Sequence, residues 1–464
     1  MATQLIQSQR VKHLNDRDIR EGDYVVYWME QSQRAQCNHA LEYAIRQANE
    51  HQQRLLVLFV IADQDDELTL RQATFMLEGL RQTQSEIQAR GIKMVVRCGS
   101  PVDVVCNVGK NASLVVCDRG YLRHQKAWRK KVASEVSCHV VQVESDVIVP
   151  VDIVSDHQEY AARTIRPKLH SHLAEFLVEL STTPIEKDSM SLSVGGEELS
   201  DLNSVVEKIR VDRTVPAVSE FFQGGTSQAN AQLKRFIGGT LKRYGEERDR
   251  PESETLSYMS MYLHFGQISP LAIALEIKNS SSGTQNDRDS YLEELVVRRE
   301  LSQNFVNFTD DYDSYSCLPD WATETLQDHR DDQREHHYTR SELVDAQTHD
   351  KYWNAAMNEM RHTGYMHNHM RMYWGKQILA WTNTPEYAYR VALELNNRYF
   401  LDGRDANSFA NVAWIFGNHD RAFGERPVFG KVRPMTHSGL ERKSDPDQYV
   451  ERVNQRCEQA TRTD

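Results

Sequence analysis

The first 150 residues alternate short apolar runs with amphipathic stretches. Apolar runs at 24–29, 55–62, 94–98, 114–117 and 140–143 predict five strands. They are rich in Val, Ile and Leu with little polar alternation, the pattern of strands covered on both faces in a parallel sheet. Helical periodicity fills the gaps at 35–51, 70–90, 101–109 and 122–135. Strands separated by helices predict an α/β fold with a doubly wound, Rossmann-like parallel sheet. Strand signals stop after about residue 233, and helical patterns run to the end. The expected organisation is a flexible N-terminal arm over 1–21, an α/β domain over 22–160, a linker over 161–232 and an all-helical domain over 233–464.

Composition narrows the classes. At 464 residues, 39% hydrophobic and 26% charged, the chain has material for two or three globular domains. Its longest apolar run is far shorter than the roughly 20 residues that cross a bilayer, and its polar start lacks the apolar core of a secretory signal. Seven cysteines (37, 98, 106, 117, 138, 317, 457) form no CxxC pair. That pattern predicts a reduced, cytoplasmic protein without structural zinc or an iron–sulfur cluster. Gly109–Lys110 fails as a phosphate loop, since Val104 and Asn111 stand where that motif needs Gly and Ser or Thr. The net charge of −12 argues against indiscriminate coating of nucleic acid. One local basic stretch stands out: Arg421, Arg426, Lys431, Arg433, Arg442 and Lys443 face only Asp420, Glu425 and Glu441.

Four stretches in the second half invite a chemical reading. Tyr244 to Arg248, followed by Leu256, Ser257, Tyr258, Met259 and Ser260, brings hydroxyls close to backbone amides, a means of holding a pyrophosphate without a glycine loop. The run 292–305 is helical in spacing, with Glu294 and Arg298 at i,i+4 on one face. Trp374 and Trp381 lie seven apart, hence stacked on one helix face about 10.5 Å apart, with Trp353 on the preceding element. Asn396, Asp402 and Asp405 frame a turn near Trp414 that suits a ligand rim. Taken singly, each has an ordinary structural explanation: caps, a surface ion pair, an aromatic core, a turn.

Their shared order changes the reading. Together with 25–41 and 159–168, these stretches resemble the class II cyclobutane pyrimidine dimer photolyases of the photolyase/cryptochrome superfamily, over about residues 22–445. The resemblance implies that the helical domain binds FAD, active in its reduced anionic form. It implies that Tyr244, Leu256, Ser257, Tyr258, Met259 and Ser260 cradle the phosphates and ribityl chain. Arg371 and Asp402 would be a salt-bridged pair beside the isoalloxazine, with Asn396 near its N5. Trp374, Trp353 and Trp381 would be the proximal, middle and distal electron carriers, with Tyr338 nearby.

Glu294 would act on the flipped-out dimer through a carboxyl kept protonated by burial. Arg248, Arg298 and Met372 would lie beside the lesion and Trp414 would cap it, while Arg421 and Arg433 would meet DNA. The implied activity is light-driven repair of UV-damaged DNA by a cytoplasmic, DNA-associated monomer needing no metal or membrane. An antenna chromophore, deazaflavin or folate, would accompany it. Met261 departs from the family's proline and Phe423 from a common tryptophan. The nearest rival is a class II-like cryptochrome, a blue-light receptor without repair. His362, His367 and His369 lack the spacing of a metal-binding pair on one helix face, which favours structural or DNA-facing roles.

Overall fold

The computed structural model describes residues 6–461, with side chains through 459. Six strands form one sheet: β1 (Val11–His13), β2 (Tyr24–Met29), β3 (Arg54–Ala62), β4 (Lys93–Gly99), β5 (Ala112–Asp118) and β6 (His139–Val143). Their order is β1-β6-β5-β2-β3-β4. Every pairing is parallel except β1 with β6. All six residues of β2 are buried, as its continuous apolar run requires of a strand at the centre. The chain leaves β2 toward β3 and returns to its other side at β5, the reversal where doubly wound sheets bind ligands beyond their strand C-termini.

The arm expected over 1–21 is structured where it is described. Val11 to His13 pair with Val143 to Val141, and the buried Arg10 guanidinium donates to the carbonyls of Glu144, Val147 and Ile148. Residues 1–5 lie outside the described residues. Residues 161–232 carry helices Ala162–Phe176 and Leu202–Val206, and Phe176, Leu199 and Val205 are buried in the core. That stretch is packed against the sheet domain rather than loosely strung beside it.

Among the contacts that fix the helical half against the sheet, two bear on the candidate site. Gly266 has φ of 63°, and a Cβ there would meet the Gln31 carbonyl, so its backbone lies directly on the loop after β2. Arg34 donates to the Gly266 carbonyl at 3.0 Å. The second contact is the start of helix Leu70–Ala89, which Thr69 and Gln72 close with a capping box. Gln72 donates to the carbonyls of Asn397 and Phe400, and Arg71 to those of Met360 and Tyr399. The α/β half thereby braces the segment that carries Asn396 and Asp402.

Candidate active site

Helix Asn368–Trp381 is capped by His367, whose Nδ1 accepts the His369 N–H. In its first turn Arg371 forks onto Asp402 at 2.9 and 3.0 Å and donates to the Met366 carbonyl. The guanidinium lies 3.8 Å from the Phe400 ring centroid and 5.4 Å from that of Tyr365. Burial alone would raise the Asp402 carboxyl. The charge and hydrogen bonds of Arg371, with a hydrogen bond from Ser260, hold it below the usual carboxylate range. Asn396, in the last turn of helix Pro385–Tyr399, is buried and donates to Asn397 Oδ1 at 3.1 Å.

The Ser260 bond joins this rim to the segment 256–260. There Tyr258 takes a left-handed φ of 54° and lodges its ring between Phe222 and Tyr365. Leu256 packs against the same core, Met259 is buried, and the Met259 N–H donates to Ser257 Oγ at 3.4 Å. Ser257 also hydrogen-bonds Tyr291, whose ring meets that of Tyr244 edge-on at 5.3 Å. Met261 is fully buried in helix Ser260–His264, so the residue that departs from proline fills core space.

Trp353, Trp374 and Trp381 are all buried. Trp353 and Trp381 have ring centroids 5.7 Å apart, and Trp353 Nε1 donates to the Trp374 carbonyl at 3.0 Å. Trp353 therefore touches the ring of Trp381 and the backbone of Trp374. Tyr338 meets Trp381 edge-on at 5.4 Å, and its hydroxyl is 2.8 Å from His349 Nδ1.

A helix turn widened to i→i+5 bonding spans Glu293–Arg298, a form frequent at functional sites. The widening overturns the pairing expected from i,i+4 spacing. Arg298 reaches Glu293 at 3.4 Å, one turn of the wide helix away, while Glu294 turns to Arg248 at 2.6 Å. The Glu294 side chain is 35% exposed, so the protein alone does not supply the burial expected of it. Arg248 also hydrogen-bonds the buried Tyr244, linking the start of helix Tyr244–Glu247 to the Glu294 pair.

Met372 is half-buried beside Arg371. Trp414 is half-buried too, with Lys376 Nζ 5.2 Å and the Arg433 guanidinium 5.8 Å from its ring. Arg433 forks onto Asp420 at 2.8 and 2.9 Å. Arg421 is exposed, and both arginines lie over the Phe423 ring, at 4.3 Å for Arg433 and 5.2 Å for Arg421.

Lys376 escaped the sequence reading. It is fully buried, donates to the Ile415 carbonyl, and burial pushes it down to about 7. A lone lysine between Trp374 and Trp381 in an apolar run was the available signal. A cavity of about 190 Å³ was also missed. It lies at the C-terminal ends of β2 and β3, lined by Glu30, Phe59, Trp128, His264, Arg299 and Asp405 among others. Both Glu30 carboxyl oxygens are buried without a partner, and burial pushes the group up to about 8.

Comparison with known proteins agrees with this architecture. The DNA photolyase family model matches residues 25–187. The deoxyribodipyrimidine photo-lyase of Methanothermobacter thermautotrophicus is 47% identical over 452 residues, covering 97% of this chain and 99% of that protein. Its Potorous tridactylus counterpart is 37% identical over 447 residues, 95% and 82% of the two chains. The crystal structure of a class III photolyase from Agrobacterium tumefaciens superposes with a TM-score of 0.73 at 18% identity, over 94% of this chain and 87% of that one. A cryptochrome from Synechocystis sp. PCC6803 gives 0.68 at 14%, over 94% and 99%. The chain belongs to the DNA photolyase family of the photolyase/cryptochrome superfamily.

Proposed function

We propose that this protein repairs cyclobutane pyrimidine dimers in DNA by light-driven electron transfer, in the manner of class II photolyases. The observation that carries the reading is the Glu294–Arg248 pair: opposite charges at 2.6 Å, a third exposed, on a widened helix turn. The photo-lyase name of relatives matched over nearly the whole chain supports it.

The cofactor is FAD, which when bound supplies the electron released on photoexcitation. The residues present suit such a group. His264 Nδ1, His367 Nε2 and Trp374 Nε1 are buried without a hydrogen-bond partner, and His264 and His367 lie close enough to Asp402 and Arg371 to feel their charges. Polar atoms left bare beside an ion pair are what a polar cofactor ring satisfies. Tyr244, Ser257, Met259 and Ser260 would hold the phosphates and ribityl chain, Arg371 and Asp402 would stand beside the ring, and Asn396 offers an amide that both donates and accepts. Trp381, Trp353 and Trp374 would form the route for an electron inward toward the cofactor, Trp353 meeting the Trp381 ring at 5.7 Å and the Trp374 carbonyl at 3.0 Å.

Flipping a damaged pair out of the stack costs a few kcal/mol, less than for intact bases, and so favours the lesion. A dimer seated against Glu294, beneath Trp414, excludes water from the carboxyl. There the carboxyl, in its protonated form, donates to a pyrimidine carbonyl and stabilises charge arriving there. Arg248 releases it as the dimer arrives, and Met372 packs beside the lesion. A light-harvesting chromophore, deazaflavin or folate, would bind on the α/β half, beyond the C-terminal ends of its strands. Blue-light repair of an oligonucleotide with one defined thymine dimer tests the reading; photoreduced protein that leaves the dimer intact would sink it.

A further inference from the structure

Tyr160 is the most exposed large hydrophobic among the described residues, at 46%. No packing accounts for it, yet it is held in place. Its hydroxyl donates to the Asp420 carbonyl at 3.2 Å, and the Asp420 carboxylate grips Arg433. Helix Ala162–Phe176 begins two residues on. Arg163 in its first turn is exposed, lies 5.8 Å from the Tyr160 ring centroid and has no carboxylate within ion-pair distance among the described residues. One turn later Arg166 forks onto Glu293 at 2.7 and 3.0 Å, on the widened turn that carries Glu294. The segment 160–166 is thus pinned at one end to the Arg421–Arg433 loop and at the other to the neighbour of Glu294.

We propose that Tyr160 and Arg163 form a second DNA contact, supplied by the α/β side of the molecule. Tyr160 stacks on a base flanking the lesion and Arg163 pairs with a phosphate of the same strand. The inference rests on the DNA-repair reading above. An exposed ring fits this partner because every base offers a π-face and stacking tolerates sequence. A free arginine beside it fits because backbone phosphates are the only ligand present at every step of the strand. The anchoring matters as well: a ring already fixed by its hydroxyl loses little freedom when a base arrives.

The test is equilibrium binding of dimer-containing and undamaged oligonucleotides at several salt concentrations, with thermal unfolding as a control for folding. Tyr160→Ala should weaken Kd about tenfold for both DNAs, the range of one lost stacking contact. Tyr160→Phe, which keeps the ring and loses only the bond to Asp420, should retain most of the affinity. Arg163→Ala should reduce the slope of log K against log salt by about one unit. Wild-type Kd and slope in both Tyr160→Ala and Arg163→Ala would overturn the inference while leaving the repair reading intact. Wild-type protein that neither binds nor repairs the dimer would overturn both.

Discussion

Two arginine–carboxylate pairs stand in the candidate site, and they differ in how water reaches them. In Arg371–Asp402 the carboxylate side chain is 9% exposed, the contact is a two-bond fork, and Phe400 lies under the guanidinium. In Arg248–Glu294 each side chain is about a third exposed and one bond joins them. A buried pair cannot lose a partner cheaply, because the remaining charge is stranded. A pair in contact with water can, since solvent replaces the missing partner and the pair itself contributes about 0–1 kcal/mol. The first arrangement suits a fixed wall of the site. The second suits a carboxyl that must exchange partners when a substrate arrives.

The sharpest way to break this contrast is to remove each arginine. Arg371→Met should destabilise the protein by about 3 kcal/mol, seen as a lower urea midpoint, and should impair flavin retention on a desalting column. Arg248→Met should leave the midpoint nearly unchanged. Equal destabilisation by the two would show that exposure does not separate their roles. On the activity side the order reverses at the carboxylates. Glu294→Ala should cost about 10²-fold in repair yield per absorbed photon, the range for removing one donor to developing charge, with little change in stability. Retention of that yield would remove Glu294 from the chemistry.

Acid titration sharpens the same comparison. The Asp402 carboxyl is held below its ordinary value, so its folded pKa lies under its unfolded one. Its contribution is fully present above about pH 3.9 and is lost as pH falls through the lower folded value. Urea midpoints of wild type and an Asp402→Asn variant should therefore keep a constant separation from pH 6 down to about 3.9 and converge only below it, as pH falls through the folded value. A separation that stays constant at every pH below about 3.9 would mean the pair stabilises without linkage to that proton.

What the sequence revealed depended on whether a period was involved. The strand at Tyr24–Met29 was legible to the residue because its apolar run has no competing pattern, and helix Pro101–Gly109 because Ser100 caps it and Pro101 opens it. The strand Val11–His13 was not legible: three half-buried or exposed residues on a sheet edge carry no hydrophobic signature. The candidate site residues came from family order alone, and the structure brings Arg371, Asp402 and Ser260 together, and Arg248, Glu294 and Tyr244. Their partners were less so. A 3.6-residue period assigns Glu294 to Arg298, and only the i→i+5 turn, invisible in spacing, hands Arg298 to Glu293 and frees Glu294 for Arg248.

The smallest expected effect separates paired from free arginines on the basic loop. Arg433 is neutralised by Asp420, whereas the Arg421 side chain has no carboxylate within ion-pair distance among the described residues. A cation must be uncompensated to release a full counterion's worth of salt dependence when it meets a phosphate. Arg421→Ala should therefore flatten the salt slope of DNA binding by about one unit. Arg433→Ala should flatten it by less, because Asp420 is then left as an unpaired negative charge whose repulsion of DNA lowers affinity. An equal loss of slope in the two variants would mean that DNA pulls Arg433 away from Asp420, and that this pair, like Arg248–Glu294, is built to open.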